Sequence, residues 1–307
     1  MKVLILGSGG VGGYFGSRLA AINDKVYFIA RGKHLDAMRN DGLHVISSLG
    51  NEHIKNINVT DCVSDCGVAD VIFIAVKLYD THAAARVIKP AVGPNTLLVS
   101  FQNGIIGSEV LTKTYGFERV IGGSASIAAR IREPGVVEHI GSMAQLSFGE
   151  LDTKSSSRTQ NLYKLCSKAN IDSKISKNIN VVIWSKFIFL AAFSGITCIF
   201  RQSIGPILND PVKRSLFRSA LEETSAIARA KGIVLSDDLI DKRLNFADGL
   251  PDEMYSSMYY DLNNGKPLEL FWLSGTVIDL GYKLGIKTPT HQFFVDKLKT
   301  YTDGVNK

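Results

Sequence analysis

A glycine-rich segment near the start of the sequence has the spacing of a dinucleotide-binding loop. Residues 7–12 read Gly-Ser-Gly-Gly-Val-Gly, directly after the apolar run 3–6 and ahead of a helix-compatible stretch, 14–22. In this motif the first glycine permits a tight turn, and the second lets the backbone approach a pyrophosphate. The third lets the helix and the strand pack closely. The amides at the start of the helix then face the anion. The alternative is a glycine-rich turn that binds nothing. We predict cofactor contacts from Gly7, Ser8, Gly9, Gly10, Val11 and Gly12.

Arg31 is the residue that distinguishes between the two nicotinamide cofactors. It follows the second predicted strand, 25–30, where NAD sites usually carry an acidic residue for the ribose 2′-hydroxyl. A carboxylate would repel a 2′-phosphate, whereas a guanidinium binds one through two parallel hydrogen bonds. The sequence therefore predicts NADP(H) rather than NAD(H). The alternative is that Arg31 and Lys33 form an ordinary solvated basic turn.

Two charged residues stand among neighbours that are expected to be buried. Lys186 lies in the apolar stretch 181–193, and Glu269 lies in Pro-Leu-Glu-Leu-Phe-Trp at 267–272. Burying an ammonium or a carboxylate without partners costs free energy, so each residue needs a reason to be there. Lys186 is either a proton donor or oxyanion stabiliser, or a side chain that extends to solvent from the first helical turns. Glu269 is either paired or functional, or it charges the start of a helix.

A polar cluster precedes Glu269 and has two interpretations as well. It consists of Ser256, Ser257 and Asp261, ahead of Gly265. These polar side chains are either functional or structural. Ser256 could equally be no more than a helix N-cap.

Histidines and cysteines predict no metal site. The six histidines, including His34, show no metal-ligand spacing and are expected to be surface or structural residues. The four cysteines match no zinc knuckle, and a disulfide framework is implausible in a chain of 307 residues. We expect free thiols in a reducing compartment, and hence a cytoplasmic protein.

Composition indicates a soluble globular protein with two domains. The chain is 45% hydrophobic and 21% charged, and its net charge of +6 is spread along the sequence without a long Lys/Arg run. We therefore expect no nucleic-acid partner, because an anionic cofactor and substrate account for the bias. The sequence shows no signal peptide, and its strongest apolar stretch, 187–200, is too short to span a bilayer. A buried helix and no membrane partner are expected.

The elements that position these residues change character along the chain. Strands and helices alternate first, with strands at 71–76 and 96–100 and a two-stranded addition at 135–140 and 144–149. Lys77 and Asn103 follow two of the strands, and ligands of open α/β sheets gather at such ends. Later periodicity is almost wholly helical. We predict an α/β protein in which an N-terminal Rossmann doubly wound sheet, the NADP-binding domain 1–177, is followed by an all-helical substrate and catalytic domain, 178–307.

The ordered set of these residues resembles the ketopantoate reductase family (2-dehydropantoate 2-reductase), which has a 6-phosphogluconate-dehydrogenase-like fold. The resemblance covers essentially the whole chain. It implies NADPH as cofactor and reduction of a 2-oxo acid to a 2-hydroxy acid, namely ketopantoate to D-pantoate on the way to coenzyme A. An apolar helical domain often supports dimers, so a homodimer is also an expectation. The residues that carry the resemblance are 7–12, Arg31, Val76-Lys77, Gln102-Asn103-Gly104, Trp184-Ser185-Lys186, Ser256-Ser257-Met258, Asp261 and Glu269.

The resemblance also implies a role for each site residue. Lys186 matches the general acid for the carbonyl oxygen. Glu269 matches the acid that bonds the substrate hydroxyl, helps to hold that lysine and reaches the cofactor. Ser257 matches a contact to the substrate carboxylate, and Asn103 matches an asparagine near both nicotinamide and substrate. The matching cofactor contacts on the 2′-phosphate side are Arg31 and Lys77.

The sequence departs from the family pattern one and two turns after Lys186. Family members typically carry asparagines there that help to hold the substrate, whereas this chain has Leu190 and Ser194. Leucine forms no side-chain hydrogen bond and serine is shorter, although Ser194 stays a candidate substrate contact. Losing one buried polar contact costs roughly 1–3 kcal/mol. Two alternatives follow: a reductase of another branched or aromatic 2-oxo acid (a D-2-hydroxyacid dehydrogenase), or a non-catalytic NADPH-binding regulator, which would need neither Lys186 nor Glu269.

Overall fold

The chain divides into two units in the computed structural model, which describes residues 1–304. The first is Met1–Val182, and the second begins at Ile183. The division falls within one helix, Ile179–Phe200, whereas the sequence predicted a boundary between residues 177 and 178. Within residues 1–304, all strands belong to the first unit and the second contains only helices.

A ten-stranded mixed sheet forms the centre of the first unit. Its middle has the order β5-β2-β1-β6-β7-β8, with every neighbouring pair parallel. This is the doubly wound Rossmann order, and it confirms the predicted fold class. The strands are β1 (Val3–Leu6), β2 (Val26–Ile29), β3 (Leu43–Ile46), β4 (Glu52–Ile54), β5 (Asn58–Thr60), β6 (Ala69–Ile74), β7 (Val92–Ser100), β8 (Val120–Glu133), β9 (Val136–Gly149) and β10 (Asp172–Ile175).

Helices cover both faces of this sheet, which explains why β1 is apolar at every position. Val3 and Ile5 join the core on one face, whereas Leu4 and Leu6 join the core on the other. The first face carries α1 (Gly10–Ala20), α2 (Gly32–Asp41) and α5 (Ser157–Lys168), and the second carries α3 (Thr81–Val87) and α4 (Ile106–Tyr115).

The predicted two-stranded addition is wrong. Residues 135–140 and 144–149 belong to one long strand, β9, which pairs antiparallel with β8. The register shifts where Ile127 faces Ala144 and Ala128 faces Ile140, and Gly141 between them has φ +81°. Gly141, which lies between the two predicted strands, therefore belongs to a bulge, in which extra residues leave the ladder without reversing the chain.

The second unit is a helical assembly around α6 (Ile179–Phe200), which contains the whole apolar stretch 187–200 that the sequence predicted to be a buried helix. By length and by a mean hydropathy of 1.8 this helix could cross a membrane, but 67% of its most apolar window is buried within the fold, as in the core helix of a globular protein. A Cβ on Gly195 would collide with the Phe294 ring. The other helices are α7 (Ile204–Asn209), α8 (Pro211–Ala230), α9 (Leu239–Asp248), α10 (Ser257–Asn263), α11 (Thr276–Leu284) and α12 (Pro289–Leu298), with a π-helical turn, Phe271–Gly275, before α11.

Candidate active site

The glycine-rich loop leaves β1 next to the end of β6, where the strand order reverses. Gly7 has φ +95°, a conformation that favours glycine, and a Cβ on it would lie 2.7 Å from the Val76 amide nitrogen. A Cβ on Gly12 would collide with the Gly7 carbonyl oxygen. Gly9 differs, because a Cβ there would meet nothing within 4 Å. Packing thus explains Gly7 and Gly12, whereas the space beside Gly9 is open to a ligand.

Ser8 and Arg31 lie at the carboxyl ends of the neighbouring strands β1 and β2. The buried Ser8 hydroxyl donates to the Ile29 carbonyl oxygen at 2.9 Å, and the Ser8 amide donates to the same oxygen at 3.3 Å. Arg31 is exposed and forms the N-cap position of α2, with extended backbone. A positive side chain is therefore presented to solvent close to the start of the glycine-rich loop. Gly10 and Val11 begin α1, whose amino end faces that loop.

Gln102 holds two strand-end segments together, and sequence reasoning gave it no role of its own. It is buried, with 8% of its surface exposed. Its Nε2 donates to the carbonyl oxygens of Val76 (3.0 Å) and Lys77 (3.3 Å) and to the Thr81 hydroxyl (2.9 Å). It thereby fixes Lys77, after β6, relative to Asn103, which follows Gln102 directly. The one feature of the sequence that could have indicated this role is the position of Gln102 beside Asn103 at the end of a strand.

Replacing this amide should destabilise the first unit. Gln102→Leu leaves two carbonyl oxygens and a hydroxyl without their shared donor, which costs about 1–3 kcal/mol. We expect the midpoint of urea unfolding to fall accordingly, while the exposed control Gln160→Leu on α5 stays within about 0.5 kcal/mol of the parent. An unchanged midpoint for Gln102→Leu would show that the bridge contributes nothing to the fold.

Lys186 and Glu269 are brought into electrostatic contact in the second unit. Lys186 lies two turns into α6 among buried aromatic residues, and Glu269 is only 3% exposed. Burial lowers the pKa of Lys186 to about 8, while the Glu269 carboxylate acts in the opposite direction. Lys186 is therefore a cation at neutral pH that releases its proton unusually easily for a lysine.

Glu269 lies at the beginning of a helical segment that is hydrogen-bonded to α12. Its carbonyl oxygen accepts from the amides of Trp272 (3.1 Å) and Leu273 (3.0 Å), so it does occupy a helix start. The π-helical turn follows at once, and such turns are frequent at functional sites. Within that turn the buried Ser274 hydroxyl lies 3.2 Å from Nδ1 of His291 on α12. The backbone that carries Glu269 is thus attached to the core of the unit.

The remaining candidate substrate contacts cluster where α10 meets α6. Ser256 is the N-cap of α10, as the structural alternative predicted, since its hydroxyl accepts from the Tyr259 amide at 3.1 Å. The same hydroxyl lies 2.7 Å from the Thr197 hydroxyl on α6. Ser257 is the next residue and is exposed, while Ser194 lies one turn before Thr197 and is buried.

The structure therefore sorts the predicted residues into two groups, one in each unit. The first unit collects the glycine-rich loop, Arg31, Lys77 and Asn103 at its strand ends. The second collects Lys186, Glu269, Ser194 and Ser257. Within residues 1–304, no three His, Cys, Asp or Glu side chains come together in a way that could hold a metal ion.

Comparison with known proteins gives a consistent family. Residues 3–153 match the family model for ketopantoate reductase PanE/ApbA, and residues 178–302 match the model for its C-terminal domain. An uncharacterized oxidoreductase, YkpB, of Bacillus subtilis (strain 168) is 29% identical over 98% of this chain and 99% of its own. A 2-dehydropantoate 2-reductase of Mesorhizobium japonicum is 28% identical over 94% of each chain. The crystal structure of the 2-dehydropantoate 2-reductase of Geobacter metallireducens GS-15 superposes with a TM-score of 0.92 at 27% identity, over 98% of this chain and 100% of that one. This chain therefore belongs to the ketopantoate reductase PanE/ApbA family of oxidoreductases.

Proposed function

We propose that this protein is an NADPH-dependent 2-dehydropantoate 2-reductase, which reduces ketopantoate to D-pantoate for the synthesis of pantothenate and coenzyme A. The observation that carries the catalytic part is the partly buried Lys186 in electrostatic contact with the buried Glu269. Relatives named 2-dehydropantoate 2-reductase, matched over nearly their whole length, support the substrate.

The first unit fits a dinucleotide. The open space beside Gly9 suits a pyrophosphate, and the amides of Gly10 and Val11 at the start of α1 suit its charge. Arg31, exposed at the end of β2, suits a 2′-phosphate and supports NADP(H) over NAD(H). Lys77 and Asn103 complete the set at the ends of β6 and β7.

Gly9 and Gly12 offer a matched test of that fit. Gly9→Ala adds a methyl group to open space, so we expect an unchanged melting temperature and at least tenfold weaker NADPH binding. Gly12→Ala places the same methyl group against the Gly7 carbonyl oxygen, so we expect a loss of about 1–3 kcal/mol in stability. Thermal melts and fluorescence titration separate the two effects. Full NADPH affinity in Gly9→Ala would place the cofactor elsewhere.

The residues of the second unit supply the proton. When bound, the nicotinamide supplies the hydride that reduces the ketone carbon. Lys186 donates its Nζ proton to the ketone oxygen, which becomes the hydroxyl of the product. Glu269 keeps the lysine charged, and Ser257 offers a hydroxyl to the substrate carboxylate.

This role of Lys186 sets the sign of the pH dependence. Because the donor must be protonated, kcat/KM for reduction should fall as pH rises through about 8. The Glu269 carboxylate raises the pKa of Lys186, so Glu269→Gln should move this alkaline limb to lower pH. Rate profiles from pH 6 to 10 for both proteins check the prediction. An alkaline limb that stays in place or moves upward in Glu269→Gln would contradict the coupling.

A second candidate substrate class rests on Leu190. This residue lies one turn after Lys186 on the same side of α6 and offers no hydrogen bond to a substrate hydroxyl. A 2-oxo acid with an apolar branched or aromatic side chain suits it better, which would make the protein a D-2-hydroxyacid dehydrogenase.

Two substrates that differ in one hydroxyl group separate these candidates. Ketopantoate carries the hydroxyl, and 3,3-dimethyl-2-oxobutanoate lacks it. A higher kcat/KM for ketopantoate supports the first candidate, and the reverse order supports the second. Leu190→Asn should shift the ratio toward ketopantoate by about tenfold, the value of one hydrogen bond, whereas the exposed control Leu284→Asn should not.

The state of the cysteines supports a cytoplasmic location for this protein. All four cysteines are free and three are buried, which suits a reducing cytoplasm. A homodimer stays a prediction.

A further inference from the structure

Both ring nitrogens of His34 are bound to backbone groups of the first unit. His34 lies in the first turn of α2, three residues after Arg31. Its Nε2 is 2.9 Å from the Ser8 carbonyl oxygen, within the glycine-rich loop. Its Nδ1 accepts a hydrogen bond from the Gly135 amide at 3.0 Å, in the turn that joins β8 to β9. One side chain thus connects two segments that lie 101 residues apart.

These partners determine the protonation state of the ring. A backbone amide only donates, so Nδ1 must offer its lone pair, and a carbonyl oxygen only accepts, so Nε2 must carry the proton. His34 is therefore a neutral imidazole with its proton on Nε2. Burial lowers the pKa of His34, which agrees with the neutral form at pH 7.

The bond to Ser8 fixes the direction of the next amide. The Ser8 carbonyl and the Gly9 N–H belong to one peptide unit, which is planar and trans, so the two groups point in opposite directions. With the carbonyl held by His34, the Gly9 N–H is directed away from the imidazole. The Ser8 hydroxyl and amide both donate to the Ile29 carbonyl oxygen, which holds in place the residue that precedes this peptide unit.

The other end of the bridge is firmly held as well. The Gly135 carbonyl oxygen accepts from the His44 amide of β3 at 2.9 Å. The β8–β9 pair also packs on the start of α1, because a Cβ on Gly10 would collide with the Ala129 carbonyl oxygen and one on Gly13 would lie 2.7 Å from Val137 Cγ2. His34 thus links a hydrogen-bonded segment of the sheet to the glycine-rich loop.

We propose that His34 is a positioning residue for the cofactor site, in which its Nε2–H holds the Ser8–Gly9 peptide unit so that the Gly9 amide is presented to the pyrophosphate. This inference rests on the proposed dinucleotide function. His34 then affects cofactor binding through the pyrophosphate-binding loop and not through the 2′-phosphate, although it lies close in sequence to Arg31.

Two isosteric substitutions separate the two bonds of the ring. In His34→Gln the amide nitrogen stands near the place of Nε2 and can still donate to Ser8. In His34→Asn the amide oxygen stands near the place of Nδ1 and can still accept from Gly135, but nothing reaches Ser8. Each variant loses one backbone hydrogen bond, so we expect similar decreases in melting temperature.

Cofactor affinity should then differ between the Gln and Asn variants, although their stabilities are similar. We expect the Kd for NADPH, measured by fluorescence titration of the full chain, to stay within about threefold of the parent in His34→Gln and to rise at least tenfold in His34→Asn and His34→Ala. NADH should show the same fold-changes, because both cofactors share the pyrophosphate. Equal losses in Gln and Asn, or melting effects without any change in Kd, would overturn the proposal. A loss confined to NADPH would also overturn it, because the residue would then act at the 2′-phosphate.

The tautomer gives a readout that needs no cofactor. The ¹⁵N shifts of the His34 ring, assigned by comparison with His34→Gln, should show a protonated Nε2 and an unprotonated Nδ1 at pH 7. The opposite tautomer or a charged ring would overturn the inference while leaving the proposed function intact. If the parent protein binds neither NADPH nor NADH, the dinucleotide function itself fails, and the role of His34 fails with it.

Discussion

Lys186→Ala should lower kcat/KM for 2-oxo acid reduction by roughly 10²–10⁴-fold, the usual contribution of a general acid. NADPH affinity should stay nearly unchanged, because the proposed cofactor contacts other than Glu269 lie in the first unit. The loss should appear mainly in kcat, since the proton is needed in the transition state rather than for binding. Steady-state kinetics at pH 7 and fluorescence titration of NADPH measure the two quantities.

Two controls distinguish loss of the proton donor from loss of structure. Lys186→Met keeps an apolar chain of similar length and should be as impaired as Lys186→Ala, with a smaller decrease in melting temperature because it leaves no cavity. A small primary amine added to the Ala variant should restore part of the rate, because it supplies the missing ammonium group. The exposed Lys231→Ala should behave like the parent. Turnover that survives Lys186→Ala would remove this residue from the mechanism.

Arg31→Asp should reverse the cofactor preference. Hydrogen bonds to a charged group contribute about 1.5–3 kcal/mol, so losing the guanidinium should weaken NADPH binding by about 10- to 150-fold. The new carboxylate adds repulsion of the 2′-phosphate and offers an acceptor to the 2′-hydroxyl of NADH. Because Arg31 is the N-cap position of α2, where aspartate is a preferred residue, the fold should tolerate the change.

A matched charge change on the same helix provides the control. Arg39→Asp reverses an exposed charge two turns further along α2 and should leave both dissociation constants within about twofold of the parent. The decisive quantity is the ratio of the Kd values for NADPH and NADH in the two variants. Equal effects of Arg31→Asp on both cofactors would show that Arg31 does not bind the 2′-phosphate.

Local patterns were sufficient to predict the first βαβ unit. The strand β1 is apolar throughout because its residues alternate between two buried faces, and the glycines that follow are adjacent in sequence. Lys186 and Glu269 could be singled out as candidates for a similar reason, since a charged residue among apolar neighbours is visible without knowledge of the fold. Such signals depend only on residues near each other in the chain.

The hydrogen bonds of Gln102 and His34 could not be predicted in that way. Gln102 donates to backbone carbonyls 25 and 26 residues away, and His34 accepts from an amide 101 residues away. Every residue carries such backbone groups, so the sequence holds no sign of which one a side chain will meet. The bulge in β9 could not be predicted either, because a glycine between two strand-like segments is typical of a turn as well as of a bulge.

The most direct test is NADPH oxidation at 340 nm by the purified protein, with ketopantoate, 2-oxoisovalerate and phenylpyruvate as separate substrates. We expect turnover with at least one of these 2-oxo acids, and it should be faster with NADPH than with NADH. Lys186→Ala should lower kcat/KM for that substrate by roughly 10²–10⁴-fold. NADPH binding without oxidation by any 2-oxo acid would contradict the reductase assignment and favour a regulator that has kept the fold.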